Sequence, residues 1–234
     1  MVEGDTRLLL DCGTGVLANL QKHFNEERTS IENLTGIVIS HMHADHFLDL
    51  IPLRYALVYG GLHRPTPLPI HLPPGARSIW ERIVQPFDET RGSFSTPFEL
   101  LEYRDRQNYH IGALQLRMTL LRHYVPNYGI EITGKARLVY SGDCGPDPNL
   151  TRLAQKADLL LCEATWLEHE ASPFDRGHLL AQEAGKMARE AGVRRLVLTH
   201  ISPEADSKEI LNAAQAEFDG EVSLAEEGRT FIIG

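Results

Sequence analysis

Histidine and aspartate residues crowd positions 40–46, Ser40-His41-Met42-His43-Ala44-Asp45-His46. Residues two apart on an extended chain project to the same side, so His41 and His43 can reach one metal ion together. Asp45 and His46 lie one short turn further along the chain and can face a second ion. Imidazole nitrogen and carboxylate oxygen are ligands that zinc takes in open, catalytic sites. The segment therefore predicts metal-dependent chemistry.

A buried strand is predicted directly before this group, because Gly36-Ile37-Val38-Ile39-Ser40 is apolar and rich in β-branched residues. Polar side chains at the end of such a strand need partners, which a metal ion supplies. Phe47–Tyr59 then has apolar residues at helical spacing. Gly60–Pro74 holds five prolines and predicts a loop or an edge strand. Three residues of that segment are expected at the surface: His63, Arg64 and His71.

The rest of the chain supplies further elements. Gly134-Lys135 between two β-branched runs predicts a hairpin. Strands dominate the first half and alternate with helices in the second, which favours an α/β fold, an αββα sandwich of two sheets with helices outside. No linker-like stretch divides the chain, so a single domain over residues 1–234 is expected. The other predicted elements are strands at 6–10, 98–102, 113–121, 157–162 and 195–199, and helices at 16–24, 76–85, 179–191 and 207–218.

Composition narrows the class of function. Of the 234 residues, 42% are hydrophobic and 24% charged, as in ordinary globular proteins. The formal net charge of −9 argues against an extended nucleic-acid surface, which needs clustered Lys and Arg. It is compatible with a small anionic substrate held by metals. No apolar stretch approaches the ~18 residues of a membrane span, and the first residues lack the pattern of a signal peptide. Three cysteines without a CxxC pair suit the cytoplasm.

The pattern HxHxDH at positions 41–46 resembles the signature of the metallo-β-lactamase superfamily. Three more residues match the remaining family positions, each after an apolar strand candidate: His123, Asp143 and His200. The resemblance implies two divalent ions, zinc foremost, although the same ligands bind manganese or iron. It implies one ion on His41, His43 and His123, a second on Asp45, His46 and His200, and Asp143 with a hydroxide bridging the two.

A second resemblance is to the ribonuclease Z branch of this superfamily. It rests on Glu163-Ala164-Thr165 and on the later pair Gly177-His178. The resemblance implies that His178 faces the scissile phosphate as the acid, that Glu163 holds His178, and that Asp45 orients the attacking hydroxide. Simpler interpretations are a helix start at Gly177-His178 and a solvated turn residue at Glu163.

The sequence also departs from ribonuclease Z. Only positions 124–142, 19 residues, separate His123 from Asp143, which leaves no space for the long basic arm that grips transfer RNA. Cys162 stands where histidine often precedes the glutamate, and the family's Arg-Tyr after the last histidine is absent. Relatives usually begin with an extra strand and a Gly-rich turn ahead of the position of Val2, so a truncated start is one expectation.

These features favour a phosphodiesterase that acts on small or cyclic phosphodiesters. The run 123–129 is similar to that of armless relatives, including cyclic-nucleotide phosphodiesterases. Three alternatives stay open: transfer-RNA 3′ processing, hydrolysis of carbon esters, lactones or thioesters, and a non-catalytic metal-stabilised scaffold. Dimers are common among the relatives, so a homodimer is one expectation, while the oligomeric state stays open.

Overall fold

A computed structural model of the chain describes residues 1–26, 30–61, 64–88, 94–168 and 175–233. Its contacts divide the chain into two compact units. Unit 1 comprises Met1–Arg104 and His110–Leu114, and unit 2 comprises Asp105–Tyr109 and Gln115–Gly234. The single domain over residues 1–234 stays a prediction.

Unit 1 is built on a five-stranded sheet whose strand order follows the sequence. The first two strands pair antiparallel and the others pair parallel. The strands are β1 (Val2–Glu3), β2 (Thr6–Leu10), β3 (Gly36–Val38), β4 (Leu68–Leu72) and β5 (Phe98–Glu102). Because β2 to β5 run parallel, their carboxyl ends lie at the same edge of the sheet.

Within the described part of this unit, four α-helices accompany the sheet: α1 (Val16–Glu26), α2 (Ala44–Phe47), α3 (Leu50–Tyr59) and α4 (Ala76–Val84). The core of the unit draws on strands and helices alike, with Ile37, Ile70 and Leu53 fully buried. In α4, Trp80 and Val84 are four residues apart and therefore share the buried face. The helical spacing predicted over 47–59 corresponds to α3 from Leu50 onwards, whereas Phe47 is the last residue of the separate short helix α2.

The prediction of a loop or an edge strand over 60–74 is wrong for Leu68–Leu72. These residues form β4, an inner strand between β3 and β5. Pro69 is tolerated because the pairing of β4 with β3 starts one residue later, at Ile70 opposite Ile37. His71 is buried in this strand and not at the surface, and burial lowers the pKa of its imidazole. Arg64 is half-buried and donates to the carbonyl oxygen of Leu34 at 2.9 Å. His63 lies outside the described residues.

The second sheet has seven strands in the order β12-β11-β10-β9-β8-β7-β6 and belongs to unit 2, apart from the second half of β6 and the first residue of β7. Its strands are β6 (Asn108–Ile111), β7 (Leu114–Leu121), β8 (Asn127–Thr133), β9 (Arg137–Tyr140), β10 (Leu159–Glu163), β11 (Arg195–Thr199) and β12 (Glu221–Leu224). Strands β7 to β9 pair antiparallel, and β9 to β12 pair parallel. The hairpin predicted around Gly134-Lys135 is confirmed as β8 and β9.

The described residues of unit 2 form three α-helices: α5 (Pro148–Leu153), α6 (Ala181–Ala191) and α7 (Ser207–Gln215). Two of them begin at aspartate caps, since the side chain of Asp147 accepts from the N–H of Asn149 and that of Asp206 accepts from the N–H of Lys208. None of the helices in the described ranges has the length and apolar content that crossing a membrane needs.

The cysteines are buried and form no disulfide. Cys12 follows β2 in unit 1, whereas Cys144 and Cys162 lie in unit 2. Burial raises the pKa of each thiol above its usual range. All three are therefore protonated at neutral pH and inert while buried.

Candidate metal centre

In unit 1 the parallel strands β2 and β3 bring two polar segments together at their carboxyl ends. Leu10 pairs with Val38, so the residues after each strand lie side by side. Asp11, directly after β2, has a φ of 56° and donates its N–H to the carbonyl of Val38 at 2.9 Å. The strand end therefore holds the Asp11 carboxylate beside the histidine-rich segment that follows β3.

The Asp11 carboxylate organises that segment. Its Oδ1 accepts from the N–H of Ser40 at 2.7 Å, and its Oδ2 accepts from Ser40 Oγ and from His46 Nδ1, both at 2.8 Å. Ser40 Oγ in turn lies 3.0 Å from Nδ1 of His41. Both imidazoles are thus held through Nδ1, which directs Nε2 to the other side. Asp11 was missed by sequence reasoning; an acid directly after a predicted strand that neighbours the histidine-bearing strand is the signal that could have found it.

Three imidazoles of unit 1 pack against one another. His41 Nε2 lies 3.1 Å from His43 Nδ1, and the His41 and His46 ring centroids are 4.0 Å apart. His41 and His43 therefore present one pair of donor atoms. Asp45 and His46 present another, with Asp45 Oδ2 3.5 Å from His46 Nε2. His41 is fully buried, whereas Asp45 is exposed.

Gly13 lets the turn after β2 pass against α2. A Cβ at this position would lie 1.4 Å from the backbone oxygen of Asp45. Around it, the N–H of Cys12 donates to the carbonyl of His46 at 2.7 Å, and the N–H of Asp49 donates to the carbonyl of Cys12 at 3.0 Å. Only glycine fits this approach, which fixes the backbone on which Asp45 and His46 stand.

Unit 2 brings Asp143, His123 and His200 together from the ends of three different strands. Asp143 Oδ2 lies 3.1 Å from His200 Nε2. A donor atom of Asp143 also lies within 4.8 Å of one of His123. Asp143 is buried, and its carboxylate lies close to a ring nitrogen of each histidine.

Both histidines are held from behind. The Nδ1–H of His123 donates to the carbonyl of Gly177 at 2.7 Å, and His200 Nδ1 lies 2.9 Å from Thr165 Oγ1. As in unit 1, Nε2 on the opposite side of each ring is the nitrogen available to a metal ion.

Glu163 and His178 form a buried pair in the same unit. Glu163, at the end of β10, is fully buried, and its Oε1 lies 3.0 Å from His178 Nδ1. The solvated-turn interpretation of Glu163 is therefore wrong. The His178 ring stacks on that of His200, with centroids 5.3 Å apart and planes at 7°. His178 precedes α6, whose first residue is Ala181, so it is not itself the start of a helix.

The donor atoms fit divalent metal ions. They are imidazole nitrogens and carboxylate oxygens, the types taken by zinc and by manganese or iron. In His41, His46, His123 and His200 the nitrogen away from the donor side contacts a hydroxyl, carboxylate or carbonyl, as is usual for metal-ligating histidine. Each unit by itself therefore presents preorganised donors.

Comparisons with known proteins agree with this chemistry. A family model described as "Beta-lactamase superfamily domain" matches residues 6–201. An uncharacterized protein of Mycobacterium leprae (strain TN) is 36% identical over 231 residues, which cover 97% of this chain and 78% of the relative. Ribonuclease Z of Myxococcus xanthus (strain DK1622) is 29% identical over 282 residues, covering 95% of this chain and 87% of the relative.

A solved structure extends the likeness to three dimensions. The metallo-beta-lactamase fold protein YhfI from Bacillus subtilis superposes with a TM-score of 0.82 at 27% identity, covering 97% of this chain and 88% of that chain. The predicted α/β class and the metallo-β-lactamase fold, with mixed sheets flanked by helices, are confirmed. With its family match over most of its length and donor groups suited to metal, the chain belongs to the beta-lactamase superfamily, as a metal-binding hydrolase of the metallo-β-lactamase fold.

Proposed function

We propose that the chain is a binuclear metal-dependent phosphodiesterase acting on small or cyclic phosphodiesters. Zinc is the expected metal, with manganese or iron as alternatives. The donor pairs support the ligand assignment: unit 1 offers two separate pairs, and in unit 2 Asp143 is shared by two histidines. The proposed ligands are His41, His43 and His123 for one ion, Asp45, His46 and His200 for the other, and Asp143 for both.

One observation carries the choice of a phosphodiester: the buried Glu163 carboxylate bound to His178 Nδ1 at 3.0 Å. A carboxylate on Nδ1 fixes the tautomer and orientation of an imidazole and stabilises its protonated form. Proton transfer is then assigned to Nε2, on the ring edge away from Glu163. Cleavage of a phosphodiester with an alkoxide leaving group needs such an acid.

The chemistry divides between metals and side chains. When bound, the ions would supply Lewis acidity and would lower the pKa of coordinated water towards neutrality. Asp45 accepts a hydrogen bond from the attacking water and orients it. His178 gives a proton from Nε2 to the leaving alkoxide, and Glu163 keeps the ring in place for that transfer.

Processing of transfer RNA is the competing function, since one relative is a ribonuclease Z. Residues 124–142 are all described, and β8 and β9 with their short connections fill this interval, so no arm is inserted there. The net charge of −9 also disfavours a long nucleic-acid surface. We further propose a cytoplasmic location, which agrees with the free thiols. We also propose that the enzyme is a homodimer, which light scattering would test.

A substrate panel tests the proposal. Zinc- and manganese-loaded protein would be assayed with 2′,3′-cyclic nucleotides, cyclic AMP, cyclic GMP, bis-p-nitrophenyl phosphate, precursor transfer RNA, nitrocefin and a lactone. We expect the highest kcat/KM on a small diester. Precursor cleavage of equal efficiency would favour the ribonuclease, and a preference for nitrocefin or the lactone would reject phosphodiester chemistry.

A further inference from the structure

Tyr124 is exposed and yet held in place beside the proposed acid. Its side chain is 59% exposed. A Cβ at position 177 would lie 2.6, 2.7 and 2.8 Å from three carbons of its ring, so the ring lies directly on the glycine backbone. The ring centroid is 5.2 Å from that of His123 and 5.8 Å from that of His178. Single exposed aromatic residues are ordinary, so the position and not the exposure needs an explanation.

A second aromatic ring borders the same imidazole. The Trp166 centroid lies 5.2 Å from that of His178, with the planes at 75°. Its backbone is tied to the segment that carries His178: the N–H of Ala181 donates to the Trp166 carbonyl at 2.8 Å, and Trp166 pairs with Leu180. The rings of Tyr124 and Trp166 therefore both border His178, the proposed proton donor to the leaving oxygen.

We infer that Tyr124, which borders His178 as Trp166 also does, is a specificity-determining residue that stacks on the base of a nucleoside phosphodiester. This rests on the proposed function, because His178 locates the leaving group. Every nucleobase offers a flat π face, and stacking on an aromatic ring is sequence-tolerant. Tyr124 is already ordered by the glycine backbone beneath it, so a base loses little binding energy to ordering the ring. The substrate class is therefore a small diester that carries a base.

The test compares two substrates with the same reacting group, 2′,3′-cyclic AMP and the abasic ribose 2,3-cyclic phosphate. In Tyr124→Ala the ratio of their kcat/KM values should fall about 5- to 150-fold, the usual range for one stacked base, mainly through the KM of the nucleotide. Tyr124→Phe keeps the ring and should keep the ratio. Tyr59→Ala, which removes an exposed tyrosine of unit 1, is the matched control and should also keep it.

Binding gives an independent readout. Adenosine 3′-monophosphate should bind the unmodified protein more tightly than ribose phosphate in calorimetry, and Tyr124→Ala should remove most of that difference. An unchanged ratio in Tyr124→Ala, or an equal fall for both substrates, would overturn the inference. If the unmodified protein cleaved neither diester but bound the nucleotide through Tyr124, the proposed function would fail while the stacking site stood.

Discussion

Glu163 accepts from four donors with a single buried carboxylate. Oε1 accepts from the N–H of Cys144 at 2.6 Å and from His178 Nδ1 at 3.0 Å. Oε2 accepts from the N–H of Leu179 at 3.0 Å and from Thr165 Oγ1 at 2.7 Å. One residue thus joins the end of β9, the segment before α6 and the proposed acid. Its replacement should affect both the fold and the chemistry.

Glu163→Gln tests this double role. From the resemblance alone, the expected defect is a mild loss of activity through misorientation of His178. Since each carboxylate oxygen accepts a backbone N–H, the glutamine NH₂ must face one of them. Two hydrogen-bond donors would then face each other, which should lower the free energy of unfolding by about 1–3 kcal/mol. Tm should fall by roughly 2–4 °C per kcal/mol in a chain of this size. Calorimetry measures this, with the exposed Glu209→Gln of α7 as control. A Tm equal to that of the control would contradict the contacts.

His178→Ala separates chemistry from folding. The side chain is not among the proposed metal ligands, so metal content and Tm should stay close to those of the unmodified protein. The rate on a diester with an alkoxide leaving group should fall by roughly 10²–10⁴-fold, the scale of a lost general acid. Diesters of p-nitrophenol need little protonation and should lose less. Near-normal rates on both kinds of diester would remove the acid role of His178 and, with it, the main support for phosphate as substrate.

Among the elements, the turn after β2 and helix α2 depend on each other. Gly13 lies against the backbone of Asp45, and two backbone hydrogen bonds link this turn to His46 and Asp49. The contact is between backbones, so neither side can yield by changing a rotamer. The placement of Asp45 and His46 therefore depends on Gly13 as well as on their own helix.

Gly13→Ala should displace α2. Its Cβ would overlap a backbone oxygen, which we expect to cost about 3 kcal/mol or more, and the protein should bind less metal as Asp45 and His46 shift. Gly15→Ala is the matched control, because its Cβ meets nothing within 4 Å and only a φ of 90° strains it. Elemental analysis and thermal unfolding distinguish the two variants. Full metal content in Gly13→Ala would show that the turn does not position the ligands.

What the sequence could predict differs from element to element. β11 appears at its predicted bounds, Arg195–Thr199, because the apolar run Leu196-Val197-Leu198 lies between a glycine-containing turn and a histidine. β4 was misjudged because Pro69 within it and four more prolines around it favour a loop in a sequence-based prediction. Its pairing with β3 begins only after Pro69, which depends on tertiary structure and cannot be read from the sequence. Asp11 carries no motif. Its role can be recognised only when β2 and β3 are known to be neighbours, because its partner Ser40 is 29 residues away in the chain.

At the scale of the whole molecule, metal stoichiometry tests the proposed ligand set. The loaded protein should hold two ions per chain by elemental analysis. Asp143→Ala should lose more metal than His43→Ala, because Asp143 belongs to two groups of candidate ligands and His43 to one. A reproducible single equivalent in the unmodified protein, or equal losses in the two variants, would reject the bridging role of Asp143.

The three buried thiols can be used to measure local unfolding of the protein. A protonated, enclosed thiol reacts with an alkylating reagent only when the structure around it opens, so the labelling rate measures local unfolding. Cys12 adjoins the turn that supports His46, whereas Cys144 and Cys162 lie around Glu163. Mass spectrometry of the alkylated protein can thus measure local opening around His46 and around Glu163 separately, with no cysteine introduced by mutation.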